Sequence, residues 1–161
     1  MAKFSINEII EFAVQIERSG YDFYNNTLAR KDLNPVAHTL IRKLRDDERV
    51  HEATFKGLRS SENLNKLGDK IAWQEAASYL KTIALSHLFN EPKSSIKKAA
   101  AAKDDKDIIK HAIQFEKDTL LFFNALSKCF DDPKTKRVLD KIINEEMSHV
   151  TKLKKVQEKL T

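Results

Sequence analysis

LDKIINEEMSHVTKLKKV, residues 139–156, is the stretch that decides how this sequence folds. Leu139, Ile142/Ile143, Val150, Leu153 and Val156 recur at helical spacing. Glu146 interrupts that apolar stripe, and His149 follows on the adjoining face. A carboxylate on the buried side of a helix is costly unless paired or coordinated. The spacing by itself is a weak signal, because it only puts two residues on one helix side. Partners must come from elsewhere in the chain.

A second stretch supplies them. IRKLRDDERVHEATFKGL at 41–58 runs parallel to 139–156, with Glu48/Glu146 and His51/His149 in register. EFAVQIERSGYDFY at 11–24 likewise parallels KHAIQFEKDTLLFF at 110–123, aligning Ala13/Ala112, Gln15/Gln114, Glu17/Glu116 and Phe23/Phe122. The offsets of the two pairs differ by one residue, so the turns inside the halves differ by one. Each of the four glutamates breaks an apolar stripe. Glu17 lies between Ala13 and Gly20/Tyr24, and Glu116 between Ala112 and Thr119/Phe123. Glu48 is four after Leu44, and His51 is four before Phe55.

The pattern predicts four long helices. Ser5-Ile6-Asn7-Glu8 is a capping box that starts the first, which runs to about residue 30. Asn34-Pro35 and Asp132-Pro133 are cap-and-proline starts for the second and fourth. The third begins near Asp104 or Asp105 and ends near Phe130. Residues 61–104 read as a crossover, with an apolar patch at 73–89 that suits a short helix ended by Glu91-Pro92. Two short turns and one long middle connection give an all-α, antiparallel four-helix bundle with a long crossover between its second and third helices.

Composition agrees. The 161 residues suit one domain, 1–161, and 41% hydrophobic with 33% charged residues is a globular balance. Three glycines and three prolines leave helices few breaks. The net charge of +5 comes from lysines spread along the chain, so it reads as a solvated coat rather than a nucleic-acid interface. The acidic, amphipathic N-terminus is no signal sequence, and no apolar run is long enough to span a membrane. The cytoplasm is the expected compartment. Cys129 is the single cysteine, so neither an intrachain disulfide nor a four-thiolate iron site is expected.

In such a bundle all six polar groups can converge at one height. Four carboxylates there would repel, and two divalent cations would offset their charge. One Glu from each of two helices, with Glu-x-x-His from each of the other two, is a specific di-iron or di-manganese arrangement. The expected site is Glu17, Glu48, His51, Glu116, Glu146 and His149.

At these residues the chain resembles the ferritin-like superfamily, and most closely its short rubrerythrin-like proteins. The resemblance spans nearly the whole chain: FAVQIERSGYDFY, DDERVHEATF, YLKTIALSHLF, FEKDTLLFF and IINEEMSHVTKL. It implies a ferritin-like fold and a non-haem di-iron centre. Glu48 and Glu146 would bridge, and Glu17 and Glu116 would be terminal. Two departures stand out. A full rubrerythrin carries a rubredoxin-like domain with four cysteines, so this sequence would need an external electron-transfer protein. The extra Glu that the family commonly has one turn after the first ligand of helix three is Thr119 here, leaving six protein ligands and putting ligand switching in doubt.

The leading functional expectation is reduction of hydrogen peroxide or dioxygen at two iron ions, with manganese or a mixed pair as alternatives. The rival expectations are a ferroxidase or iron-handling protein, and a non-enzymatic metal-binding bundle. Tyr24, two turns after Glu17, is read either as a hydrogen-bonding neighbour of the site or as a core aromatic. Glu145 is expected to face solvent, and Cys129 to be inert. His38, His87 and His111 are not expected to bind metal. Trp73, Tyr79 and Phe89 in the crossover suggest a covered face and a homodimer.

Overall fold

A computed structural model describes residues 5–59, 71–84 and 94–160, with the side chains of 71–73 and 94 left aside. Among them are six helices and no strand: α1 (Ile6–Leu28), α2 (Pro35–Arg59), α3 (Ile71–Ile83), α4 (Ser94–Ala101), α5 (Asp105–Ser127) and α6 (Pro133–Lys159). The expected starts are where the capping chemistry places them. The Ser5 backbone N–H donates to Glu8 Oε2 at 2.7 Å, and the Glu8 N–H to Ser5 Oγ at 3.2 Å. Asn34 Oδ1 accepts from the Val36 N–H, Asp104 Oδ1 from the Asp107 N–H, and Asp132 Oδ2 from the Thr135 N–H, each at 2.9 Å. Each satisfies a helix-start donor that has no intrahelical partner.

α1 pairs with α2 and α5 with α6, and the hairpins meet mainly through α2 and α6. Buried residues reveal the directions. The start of α1 (Ile6, Ile9, Ile10) shares one apolar cluster with the end of α2 (Phe55), the end of α5 (Phe122, Phe123, Leu126) and the start of α6 (Leu139, Ile142). The opposite ends share the other: Phe23 and Tyr24, Ile41 and Leu44, Ile108 and Ile109, Leu153 and Val156. Helices α2 and α5 therefore run the same way, and the chain between them must travel the bundle's length.

That crossover holds two short helices where one was expected. α3 puts Ala77, Leu80 and Ile83 into the first cluster, and α4 puts Ala99 into the second. The lysine- and alanine-rich passage becomes helical because its alanines have an apolar surface on α1 to cover. Tyr79 is exposed, whereas the Trp73 side chain, His87, Phe89 and the Glu91-Pro92 stop lie outside the described residues. α1 and α5 end two or three residues earlier than their sequence patterns suggest.

Repeat-related residues fall in opposite clusters, Phe23 in one and Phe122 in the other. The two halves are thus related by a rough two-fold axis perpendicular to the bundle. Between the clusters lies one layer of buried polar side chains. We expect Phe123→Ala, which removes a ring centred 5.0 Å from that of Phe55 beside the layer, to cost about 3–5 kcal/mol in urea unfolding of the metal-free protein.

Candidate metal centre

The polar layer consists of Glu17, Glu48, His51, Glu116, Thr119, Glu146 and His149, all buried. Each comes from the central turns of α1, α2, α5 or α6, where its stripe faces inward. All six expected residues are brought together. Their ligand atoms form two overlapping groups, Glu17/Glu48/His51/Glu146 and Glu48/Glu116/Glu146/His149, each with atoms within 4.8 Å of one another. The groups share Glu48 and Glu146, the two carboxylates expected to bridge.

Both histidines present Nδ1 to the interior. His51 Nδ1 lies 2.8 Å from Glu146 Oε1 and 3.5 Å from Glu17 Oε2. His149 Nδ1 lies 3.0 Å from Glu146 Oε2 and 3.6 Å from Glu116 Oε1. The rings are nearly parallel, with centroids 6.0 Å apart. On their outer sides, His51 Nε2 sits 2.7 Å from Glu145 Oε2, and His149 Nε2 sits 3.1 Å from Asp47 Oδ2. An Nε2–H donated to these carboxylates leaves each Nδ1 lone pair free for a metal. Lys43 pairs in turn with Asp47 at 2.7 Å, and Lys141 lies 4.0 Å from Glu145.

Glu145 therefore does not simply face solvent. It is 42% exposed, yet it crosses from α6 to hold a histidine of α2. The available signal was the acid preceding each Glu-x-x-His, Asp47 in one half and Glu145 in the other. Which histidine each acid holds depends on the antiparallel pairing of α2 and α6. A cavity of about 240 Å³, lined by Val50, Thr54, Val138 and Ile142 among others, opens onto this His51–Glu145 side.

Tyr24 resolves toward the site. Its buried hydroxyl donates to Glu116 Oε1. Its counterpart in the other half is Phe123, so Glu17 has no such donor. Burial, with the nearby carboxylate charges, raises the Tyr24 hydroxyl well above its usual range and keeps the proton on it. Of the other histidines among the described residues, His111 contacts Asp107 at 3.6 Å, and His38 is half-buried in α2. Burial pushes the Cys129 thiol up to about 11, in keeping with an inert role.

Buried oxygens test whether metal fits. Both carboxylate oxygens of Glu17 and of Glu48, Glu116 Oε2 and Glu146 Oε1 have no hydrogen-bond partner. His51 Nδ1 is close to Glu146 but not in hydrogen-bonding geometry. So many orphaned acceptors in one apolar core are not tolerable as a purely structural feature. They are a donor set for two divalent cations, four negative charges against four positive ones. The backbone yields to the same layer at Gly20, where a Cβ would stand 2.8 Å from Glu48 Oε2 and 2.9 Å from Phe115 Cε1. These clustered acids and histidines form two overlapping groups able to hold metal ions.

Proton affinities carry the strain of the metal-free layer. Burial, then the charges of its neighbours, raises Glu17 and Glu48 well above the carboxylate range and Glu116 to about 8. Burial acts against charge on Glu146 and His51 too. The contact with His149 Nδ1, and the imidazole of His51 beside it, outweigh it and hold Glu146 low, while the adjacent Glu146 carboxylate raises His51 to about 9. A group with a raised pKa keeps its proton at neutral pH and must lose it to bind a cation. Iron(II) binding at pH 7 should release protons, and affinity should fall as pH drops below about 8. Calorimetry in two buffers of different ionisation enthalpy measures this release. Gly20→Ala should weaken iron(II) about tenfold in competition with a chromophoric chelator, because Glu48 must move by an amount worth about 1–3 kcal/mol.

Comparison with curated proteins and with solved structures returned no match. The rubrerythrin family matches residues 8–157, which takes in the four long helices except the first residues of α1 and the last of α6, and every residue of the polar layer. The chain belongs to the rubrerythrin family, and its buried glutamate–histidine layer is that family's di-iron site.

Proposed function

We propose that this chain is a peroxidase-like di-iron oxidoreductase, reducing hydrogen peroxide or dioxygen with electrons from a separate electron-transfer protein. One observation carries the reading: two buried donor groups that share Glu48 and Glu146. In this assignment Glu17 and His51 would hold one ion and Glu116 and His149 the other, with Glu48 and Glu146 available to both.

Iron held there would supply redox chemistry, two electrons from the pair that, with two protons, reduce one peroxide to two waters. The chain's own side chains set the conditions. The four carboxylates neutralise the ions, which stabilises the ferric state over the ferrous. Asp47 and Glu145 fix the ring orientation of His149 and His51. Tyr24 holds Glu116 through one oxygen and leaves the other free. The apolar clusters on either side keep bulk water from the layer.

Cys129, the single cysteine of this sequence, cannot build a thiolate cluster, and a separate carrier would supply the electrons. The partner is a small redox protein, and the chain works as a homodimer in the cytoplasm. Among the described residues no helix is long and apolar enough to cross a membrane. Glu48→Ala combined with Glu146→Ala should lower iron content from about two per chain to near zero by elemental analysis. The reduced wild-type protein should be oxidised by stoichiometric peroxide in stopped-flow absorbance. Full metal content in the double variant, or a reduced protein inert to peroxide, would sink the assignment.

A further inference from the structure

Thr119 is the one member of the polar layer that the assignment above leaves without a task. It is fully buried, and its Oγ1 has no hydrogen-bond partner. That sets it apart from every other threonine within the described helices. Thr27, Thr39, Thr54, Thr82 and Thr151 each donate to the carbonyl four residues back, at 2.8–3.1 Å. Thr135, in the first turn of α6, donates to Asp132. The back-bond is the default refuge of a helical hydroxyl. Thr119 gives it up in the place where an unmade bond costs most.

Its position explains the choice. Thr119 follows Glu116 by one turn on the buried face of α5. Its repeat counterpart is Gly20, whose absent Cβ would touch the Glu48 carboxylate. The same register in the second half sets Thr119 against the bridging layer on the Glu146 side. Glu116 Oε2, one turn before Thr119 on the same buried face of α5, is also without a partner. One half of the layer is closed tightly by a glycine, and the other half carries a spare hydroxyl.

We propose that Thr119 Oγ1–H is the hydrogen-bond donor for a small oxygen-class ligand, peroxide above all, seated among the glutamates on the α5 side. This rests on the di-iron reading of the site. The hydroxyl neither ligates a metal nor gives up its proton irreversibly. It orients the ligand and marks the second half of the layer as the side on which it binds. With metal bound the glutamates are ionised and accept only, so they offer an anionic or peroxidic ligand no hydrogen-bond donor.

The test uses azide as the probe, a small anion that takes a hydrogen bond as peroxide does. Wild type, Thr119→Val and Thr119→Ser are loaded with iron, checked for two ions per chain, oxidised and titrated with azide by its charge-transfer absorption. Thr119→Val should load fully but bind azide about tenfold more weakly, the worth of one hydrogen bond, and Thr119→Ser should restore it. The metal-free Thr119→Val protein should melt no lower than wild type, because the hydroxyl it loses was unsatisfied. Equal azide affinity in fully loaded wild type and Thr119→Val overturns the inference and leaves the metal centre standing. So does a lowered melting point in metal-free Thr119→Val, which would mark a structural role. A wild-type protein that takes up no iron overturns the metal centre itself, and this inference with it.

Discussion

Four carboxylates at one height inside an apolar bundle are the constraint on which everything else depends. Left alone they repel, and each loses the water that would stabilise its charge. The metal-free protein answers by holding protons on Glu17, Glu48 and Glu116 and by charging His51 and His149. A pair of divalent cations answers the same problem more completely. The bundle must therefore be stable enough elsewhere to carry the layer, and the two apolar clusters do this from both sides.

The crossover follows from the helix directions. α2, with one Glu-x-x-His, and α5, with a single glutamate, run in one direction, as their shared apolar clusters show. Their connection must then travel the bundle's length, and α3 and α4 use that path to close one apolar cluster each. The layer is guarded at both ends by segments that bring mainly small or aliphatic side chains.

The internal repeat gives two halves that are alike in their acids and histidines and unlike around them. Tyr24 donates to Glu116, while its counterpart Phe123 has no hydroxyl for Glu17. Gly20 lets Glu48 approach, while its counterpart Thr119 brings a hydroxyl. On the outer side the arrangement stays symmetric, with Asp47 on His149 and Glu145 on His51. Two metal positions built from equal donors thus have unequal surroundings, which favours one-sided binding of a small ligand.

Much of this was legible in the sequence, for a physical reason. Helical periodicity ties position along the chain to position around the helix, so a glutamate inside an apolar stripe announces its own burial. The internal repeat then supplies the partners of Glu146 and His149, and the capping residues Ser5, Asn34, Asp104 and Asp132 mark where helices begin. Other features are relations between helices, which no single stripe encodes. Glu145 reads as solvent-facing because its own helix places it at the edge, and only the approach of α2 brings His51 to it. Tyr24 and Phe123 differ by one hydroxyl in the sequence, and only packing against α5 shows which glutamate the hydroxyl reaches. The second crossover helix formed because α1 offered its alanines a surface. The sequence by itself determined the bundle, the polar layer and the six donors. Tertiary structure alone decided who holds each histidine and which hydroxyl is left spare, because those contacts are made across helices and not along them.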